Sequence, residues 1–549
     1  MAIMENTTEG RRTITGTKEA GPQQGRGRVI AAGALAGLFA ALSMTALMAL
    51  ARAILGLPTP AEMIGDVFIP NLDLGTFFQL IGRFGGGNGI KRVGIGSVLI
   101  GQVVVGTLVG VIYGLLATAG VARRFGASSR GLMFITVAGL IAWLGTIIPL
   151  NSVLNTNYRG LPAGQAMALS IVGLLVLYAA FASLLVLIYQ VLTAPDTAQS
   201  PTAQSHAAPR SATVGRRTLI VGGATIVMAA VVSGLIRALY GRSTLLYDGT
   251  RYRGTDVQAI TPNDRFYSVT KNVLDPDVAR SVWRLRVEGF VARPSTYNFD
   301  ELAASAAVTT QEATISCISN DIGDGLASNA IWKGVPLRSL LEEAGIAGTF
   351  AKVVIHGSDN YVDTIYPDKA LDPTTLVAWE MNGEPLPPRH GYPVRLIVPG
   401  HFGEKSVKWV TRIEVVDRDV KGFYERQGWG PSFTIQTYSR FDAPLDRQAL
   451  SAATPIRLHG VAFSGDRGIS RVEVSTDDGK TWREARFDHQ ASKIAWTLWS
   501  LDWQPSGAGE YHLAVRAVDG NGAYQTSDTR GIAPDGATGY HRVTVQVAG

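Results

Sequence analysis

Apolar residues are segregated along this chain. Five stretches carry no charged residue: 29–51, 93–122, 131–158, 160–195 and 218–236. Each is long enough to cross a hydrocarbon core, which takes about 20 residues in a helix. Most lack any polar face, which a surface helix of a soluble protein would have. The pattern predicts five transmembrane helices, four within residues 29–192 and a fifth at 218–240. A tail, 1–28, precedes them. Residues 193–217, rich in Pro, Ser, Thr and Ala, read as a flexible linker before the last helix.

Charges in the loops set an orientation. Arg11, Arg12, Lys18, Arg26 and Arg28 precede the first helix; Arg123, Arg124 and Arg130 follow the second; Arg210, Arg216 and Arg217 precede the fifth. The positive-inside bias makes these segments cytoplasmic. The segment 57–92 is mixed, setting Arg83, Lys91 and Arg92 beside Glu62, Asp66 and Asp73. Five crossings from a cytoplasmic N-terminus place everything after about Tyr240 outside the cytoplasm, in a multi-pass cell-membrane protein. The first apolar run is longer than a signal-peptide core and is followed by further spans, so it reads as an anchor. Arg216 and Arg217 directly precede the last run. They read either as an orientation determinant or as a twin-arginine address for export of a folded, cofactor-loaded protein.

Beyond residue 250 the periodicity changes. Over 250–435 short apolar strands alternate with helical pieces, an α+β pattern: 283–290 alternates as a strand, 337–344 reads as helix and 352–356 as strand. Over 450–549 apolar and polar residues alternate between turn signals such as Ser464-Gly465-Asp466 and Asp477-Asp478-Gly479. About seven short strands there predict an immunoglobulin-like sandwich.

A formal charge of +6 over 549 residues is modest and argues no nucleic-acid role. Cys317 is the single cysteine, so no intrachain disulfide forms. It follows β-branched residues and precedes a polar, Gly-containing loop, which places the sulfur at the mouth of a strand. Two readings are open: an inert buried thiol, or a thiolate metal ligand whose companion donors arrive with a cofactor. No CxxC or HxxxH spacing occurs, and no histidine lies within thirty residues of Cys317. No histidine precedes His206 and no CxxCH exists, so the first four helices hold no bis-histidine haem. Electrons must pass to or from a separate protein or a diffusible carrier such as a quinone.

Four motifs in order carry a resemblance: NDRFYSVTKN (263–272), TISCISNDIGDGLASNAIWKGVPLRSLLEEAG (314–345), WEMNGEPLPPRHGYPVRLIVPG (379–400) and GEKSVKWVTRIEVVDRDVKGFYERQGW (403–429). Together they resemble the sulfite oxidase family of molybdopterin oxidoreductases over nearly all of 250–435, and 450–549 resembles the dimerisation module of that family. With the α-helical transmembrane bundle that the apolar runs predict, the resemblance implies an α+β sulfite-oxidase-type molybdopterin domain and then the all-β immunoglobulin-like sandwich. It implies Mo-molybdopterin as cofactor, with Cys317 as the metal ligand. Asn263, Tyr267, Ser268, Asp359, His390, Arg395, Ser406, Val407 and Lys408 match its cofactor contacts. By the same analogy a homodimer is implied, with a monomer as the alternative.

The departures bear on substrate. The two family arginines after Cys-x-x-Asn are Asp321 and Ile322 here, the arginine of the first motif is Thr270 or Lys271, and a family tyrosine is Val420. The expected catalytic set is therefore Cys317, Asp321 and Lys271. A carboxylate about 4 Å from a dianion repels it by several kcal/mol at an effective dielectric near 20. The expectation is a membrane-anchored oxidoreductase with an extracytoplasmic site, transferring an oxygen atom to or from a small substrate other than sulfite. The competing reading is a transport or sensory membrane protein with a degenerate domain of this kind. It requires a lost metal ligand or clamp, whereas Cys317, His390, Arg395 and Lys408 are all present.

Overall fold

A computed structural model of the chain describes residues 26–118, 127–194 and 215–548. Its first part is helical: α1 (Arg26–Leu55), α2 (Pro60–Phe68), α3 (Leu74–Phe84), α4 (Gly87–Thr118), α5 (Ala127–Ile147), α6 (Ala163–Thr193) and α7 (Arg216–Tyr240). Among the described residues, Gly27–Leu55, Gly87–Ala117, Ala163–Thr193 and Arg216–Leu239 are long and apolar enough to cross a membrane. Most of the expected tail (1–25) and linker (195–214) lies outside the described residues.

Helix α1 is the centre of the bundle and packs against α4, α6 and α7. Small residues let α1 and α4 touch backbone to backbone. A Cβ on Gly33 would lie 2.4 Å from Gly110 O, and one on Gly37 would lie 2.5 Å from Gly106 O. Such close approach supplies dispersion contact between the two helices along their small-residue faces. The expected third span, 131–158, is shorter than its apolar run. Helix α5 stops at Ile147, because Pro149 has no N–H to continue the ladder. Leu150, Val153, Leu154 and Tyr158 then pack as a buried connection.

The mixed segment after α1 is folded. Thr59 and Glu62 form a capping box that starts α2, Asp73 caps α3, and Gly85 ends α3 in the left-handed region at φ 73°. This hairpin, the buried connection and the ends of α1 and α4 all meet the second part of the chain. Arg52 donates to Leu274 O at 2.9 Å, Lys91 pairs with Asp248 at 2.6 Å, Asp277 N donates to Tyr158 O at 2.9 Å, and Gln427 donates to Ile69 O at 2.8 Å.

That second part is built on two sheets. Strands β1 (Leu285–Gly289), β2 (Ser295–Tyr297), β3 (Thr309–Ser316), β4 (Ala327–Pro336), β5 (Lys352–Gly357), β6 (Val362–Ile365), β7 (Leu376–Met381), β8 (Glu384–Pro385), β9 (Arg395–Ile397) and β10 (Val410–Val416) follow in order. One sheet runs β2-β1-β10-β5-β6, with β1 and β10 parallel; the other runs β3-β4-β7-β8, with β9 on β7. Trp283, Leu285, Ile355, Leu340 of the helix Leu337–Ala344 and Val377 fill the space between them. From Tyr438 to Ala548 a four-stranded and a five-stranded sheet pack face to face. Phe441, Trp499 and Trp503 of one meet Val472, Val515 and Val545 of the other.

His541 joins this sandwich to the loop that follows Cys317. Its Nδ1 accepts from Phe441 N at 3.0 Å, and its ring fills the space beside Gly323, where a Cβ would lie 2.3 Å from Nε2. Burial, then the charges of Arg440 and Arg253, hold the imidazole down to about 4 from its ordinary 6.5. Below 6.5 the unfolded chain binds a proton that the folded state refuses, so stability falls between 6.5 and about 4 and is unaffected above. Replacing His541 by Asn should flatten that acid loss in thermal melts; an unchanged slope for the variant would remove His541 from this role.

Candidate functional site

Cys317 lies one residue beyond β3, its N–H donating to Leu326 O at 2.9 Å and its Sγ 3.0 Å from Ser319 Oγ. Burial, followed by the charge of Glu404, pushes the thiol up to about 11. A bound soft cation would reverse that preference and hold the thiolate. Among the described residues no group of three or more His, Cys, Asp and Glu could hold a metal without outside donors. Cys317 lines a cavity of about 570 Å³, together with Tyr267, Ser268, Lys271, Asp359, His390, Arg395, Ser406, Val407 and Lys408.

The cationic wall comes from β9 and the segment before β10. Arg395 is buried and donates only to carbonyls, those of His390 at 3.0 Å and Ser406 at 3.1 Å. Lys408 donates to Arg389 O at 3.1 Å and stands 4.5 Å from the Trp409 ring centroid. Neither cation has a carboxylate within ion-pairing distance among the described residues. Burial lowers both, to about 10 for Arg395. His390 is driven well down by burial and then by Arg395 and Lys408, so it is neutral; its Nε2 meets Asn263 O at 3.0 Å. Gly391, at φ 112°, turns the chain so that Lys408 packs against it; a Cβ there would lie 3.2 Å from that of Lys408.

The other expected contacts divide. Ser406 Oγ accepts from Val398 N, and Val407 O accepts from Leu396 N, so these two residues fix the backbone of the wall. Asp359 accepts from Asn272 at 2.9 Å. Ser268 Oγ and Ser358 Oγ are buried without any hydrogen-bond partner. Tyr267 is buried against Gly403. Asn263 does not line the cavity: its side-chain amide contacts Met381 O, Glu384 and Asn382, and only its carbonyl reaches His390.

Two of the three expected catalytic residues are placed otherwise than the sequence suggests. Asp321 is outside the main cavity. Its carboxylate caps Ile322 N at 2.8 Å, in a crevice facing the sandwich with Tyr438 and Arg440. Ile322 lines the same crevice, against Gly539. Lys271 lines the main cavity, but its ammonium is committed to Asp66 of α2 at 2.6 Å. Burial raises Asp66 to about 6, and the neighbouring carboxylates hold the lysine charged against its own burial. Breaking such a buried pair costs about 3–5 kcal/mol, so Lys271 is held in place and is no mobile anion trap.

Sequence reasoning missed the roof and one acid. Ile69, Leu72, Phe77, Phe78 and Ile81, from α3 and the turn before it, line the cavity opposite the cationic wall. The capping residues Thr59, Glu62 and Asp73 were the available signal that this segment is helical. Glu404 also lines the cavity; both its oxygens are buried without partners, and burial raises it to about 8.

Residues 272–424 match the oxidoreductase molybdopterin binding domain, and 434–548 match the Mo-co oxidoreductase dimerisation domain. Human mitochondrial sulfite oxidase is 31% identical over 345 residues, covering 53% of this chain and 62% of that protein. The NADH nitrate reductase 2 of Arabidopsis thaliana is 29% identical over 309 residues, 44% of this chain and 34% of its own length. The sulfane dehydrogenase SoxCD from Paracoccus pantotrophus is 29% identical, with a TM-score of 0.46 over 49% of this chain and 75% of that one. The chain thus spans about a third of the nitrate reductases it matches and under two thirds of the sulfite oxidase.

The cavity suits a molybdopterin. A buried arginine with no ion-paired carboxylate calls for a resident anion, the orphaned Ser268 hydroxyl calls for a polar guest, and a lone thiol can complete a metal already held by soft donors. Arg395→Ala and Lys408→Ala should each lower molybdenum and pterin content about 10–100-fold, as loss of supporting contacts does at metal sites. Metal and pterin content equal to wild type in the purified variants would make these cations structural only.

Proposed function

We propose that this chain, whose residues 272–548 belong to the sulfite oxidase family of molybdopterin oxidoreductases, is a membrane-anchored enzyme acting by oxygen-atom transfer on a small substrate other than sulfite. Its cofactor is Mo-molybdopterin, which supplies the two-electron chemistry when bound. The observation that carries the reading is the lone thiol of Cys317 in one cavity with Lys408 and with the buried Arg395, which meets only carbonyls. In this reading Cys317 is the metal ligand. Arg395 and Lys408 bind anionic oxygens of the cofactor, and Ser268 Oγ donates a hydrogen bond to it. Asp359 and neutral His390 orient its polar edge, while Tyr267, Ser406 and Val407 shape the cradle.

Sulfite is disfavoured for a reason other than Asp321. The remaining cations of the cavity are tied: Lys91 to Asp248, Lys271 to Asp66 and Arg251 to Asp324. A small dianion would find no free cation among the described residues of the cavity. A neutral substrate such as a sulfoxide or N-oxide escapes that penalty.

The family dimerisation module supports a homodimer. Five crossings, with the catalytic domain outside, are supported by the arginine distribution and by contacts that gather the ends of α1, α4 and the α5–α6 connection on the catalytic domain. The transport or sensory reading has no observation in its favour.

Cys317→Ser should keep its pterin yet lose turnover by more than about a hundredfold, since a direct ligand outweighs its supporting contacts. Turnover at the wild-type rate, in a screen of sulfoxides, N-oxides and sulfite, would overturn the ligand assignment. A reporter fused after Gly549 should read as extracytoplasmic and one near Ser200 as cytoplasmic. The opposite pattern would reverse the topology.

A further inference from the structure

The cavity has one wall that the cofactor does not need. Phe77 and Phe78 of α3 face Tyr424 and Trp429, with the Phe78 and Trp429 rings 5.8 Å apart and those of Tyr424 and Trp429 6.4 Å apart. Trp429 Nε1 and Gln427 Oε1 are buried there without partners, a donor and an acceptor. The cavity extends to Gly85, Gly86 and Gly87, where a Cβ would meet nothing within 4 Å. That gap lies where α4 begins, one turn before its apolar run, between Phe68 at 65% exposure and Val93 at 44%.

An aromatic wall with one donor and one acceptor, opening at the start of an apolar helix, selects a flat ring that bears oxygens and carries an apolar tail. We infer that the chain binds an isoprenoid quinone, which enters from the bilayer between α3 and α4 at Gly85–Gly87 and lays its ring against the paired rings of Phe78 and Trp429. This rests on the membrane-anchored reading above, and it names the diffusible carrier that the lack of haem-ligating histidines in the first four helices requires. The overall exchange balances as QH2 + XO ⇌ Q + X + H2O, where XO carries the transferable oxygen. The two hydrogens of the quinol leave with that oxygen as water.

The test uses full-length, cofactor-loaded protein in phosphatidylcholine nanodiscs, with an azido-ubiquinone as photolabel and peptide mapping as readout. Carbonate extraction and molybdenum content are measured first. Label should appear on residues 74–87 and 423–429 and be displaced by excess decylubiquinone. Gly87→Leu, whose side chain enters open space, should close the mouth. Phe78→Ala should weaken labelling about tenfold, the worth of one stacked aromatic contact. Molybdenum content should stay unchanged in both variants. Membrane-bound, molybdenum-loaded protein that is unlabelled in these segments, or labelled without displacement, overturns the quinone site and leaves the enzymatic reading standing. So does label that neither substitution alters. Protein released by carbonate overturns the membrane reading and this route with it.

Discussion

A buried arginine with no ion-paired carboxylate sets the terms for the rest of this molecule. Removing a charged group from water carries an effective penalty of several kcal/mol, and a chain with no use for it would place a hydrophobe there. Arg395 is instead held by backbone carbonyls, and the half-buried Lys408 by a carbonyl, an indole face and the charges of Asp275 and Asp359, in a wall that Gly391 folds tightly enough to bring the two cations together. The neutral His390 beside them follows from the same field, since a third positive charge would have no counter-ion. The thiol at Cys317, raised by burial, likewise lacks its natural complement. The arrangement is electrostatically incomplete as protein and complete only with a guest that is both anionic and metal-bearing.

The division between what could be read from the sequence and what could not has physical causes. Cys317, His390, Arg395 and Lys408 sit in contiguous motifs, so residue type and local order sufficed to single them out, and the fold brings all four to one cavity. The helix Leu337–Ala344 and strand β5 were legible from periodicity for the same reason. Lys271 was misread because its partner Asp66 lies 205 residues earlier in the chain. Asp321 was misread because a one-turn loop decides which way a side chain faces, and this loop faces the sandwich. The third apolar run was overextended because hydropathy does not register a missing N–H at Pro149. The roof was invisible as function because its charges looked like solvated loop residues, whereas Glu62 and Asp66 are spent in ion pairs with Arg52 and Lys271.

The helical bundle and the cavity-bearing domain are therefore not separate modules joined by a tether. The chain before α4 supplies the roof of a cavity whose floor is coded more than two hundred residues later. The bundle also supplies partners of Lys271, of Asp248 and of the Leu274 carbonyl. The β-rich part cut from its helices would lose these contacts together and expose a cavity lined on one side by aromatic rings.

The bond from Gln427 to Ile69 joins residues 358 positions apart, so it cannot exist until the chain between them has been made and the floor has folded. Closing contacts of such sequence separation comes late, because the loop entropy must be met before they give anything back. The hairpin of α2 and α3 is therefore made well before the partner on which it settles. In that interval the cavity stands open, and anything bulky that is to reside in it has its passage then. The length of chain between one glutamine and one carbonyl thus acts as a clock on assembly.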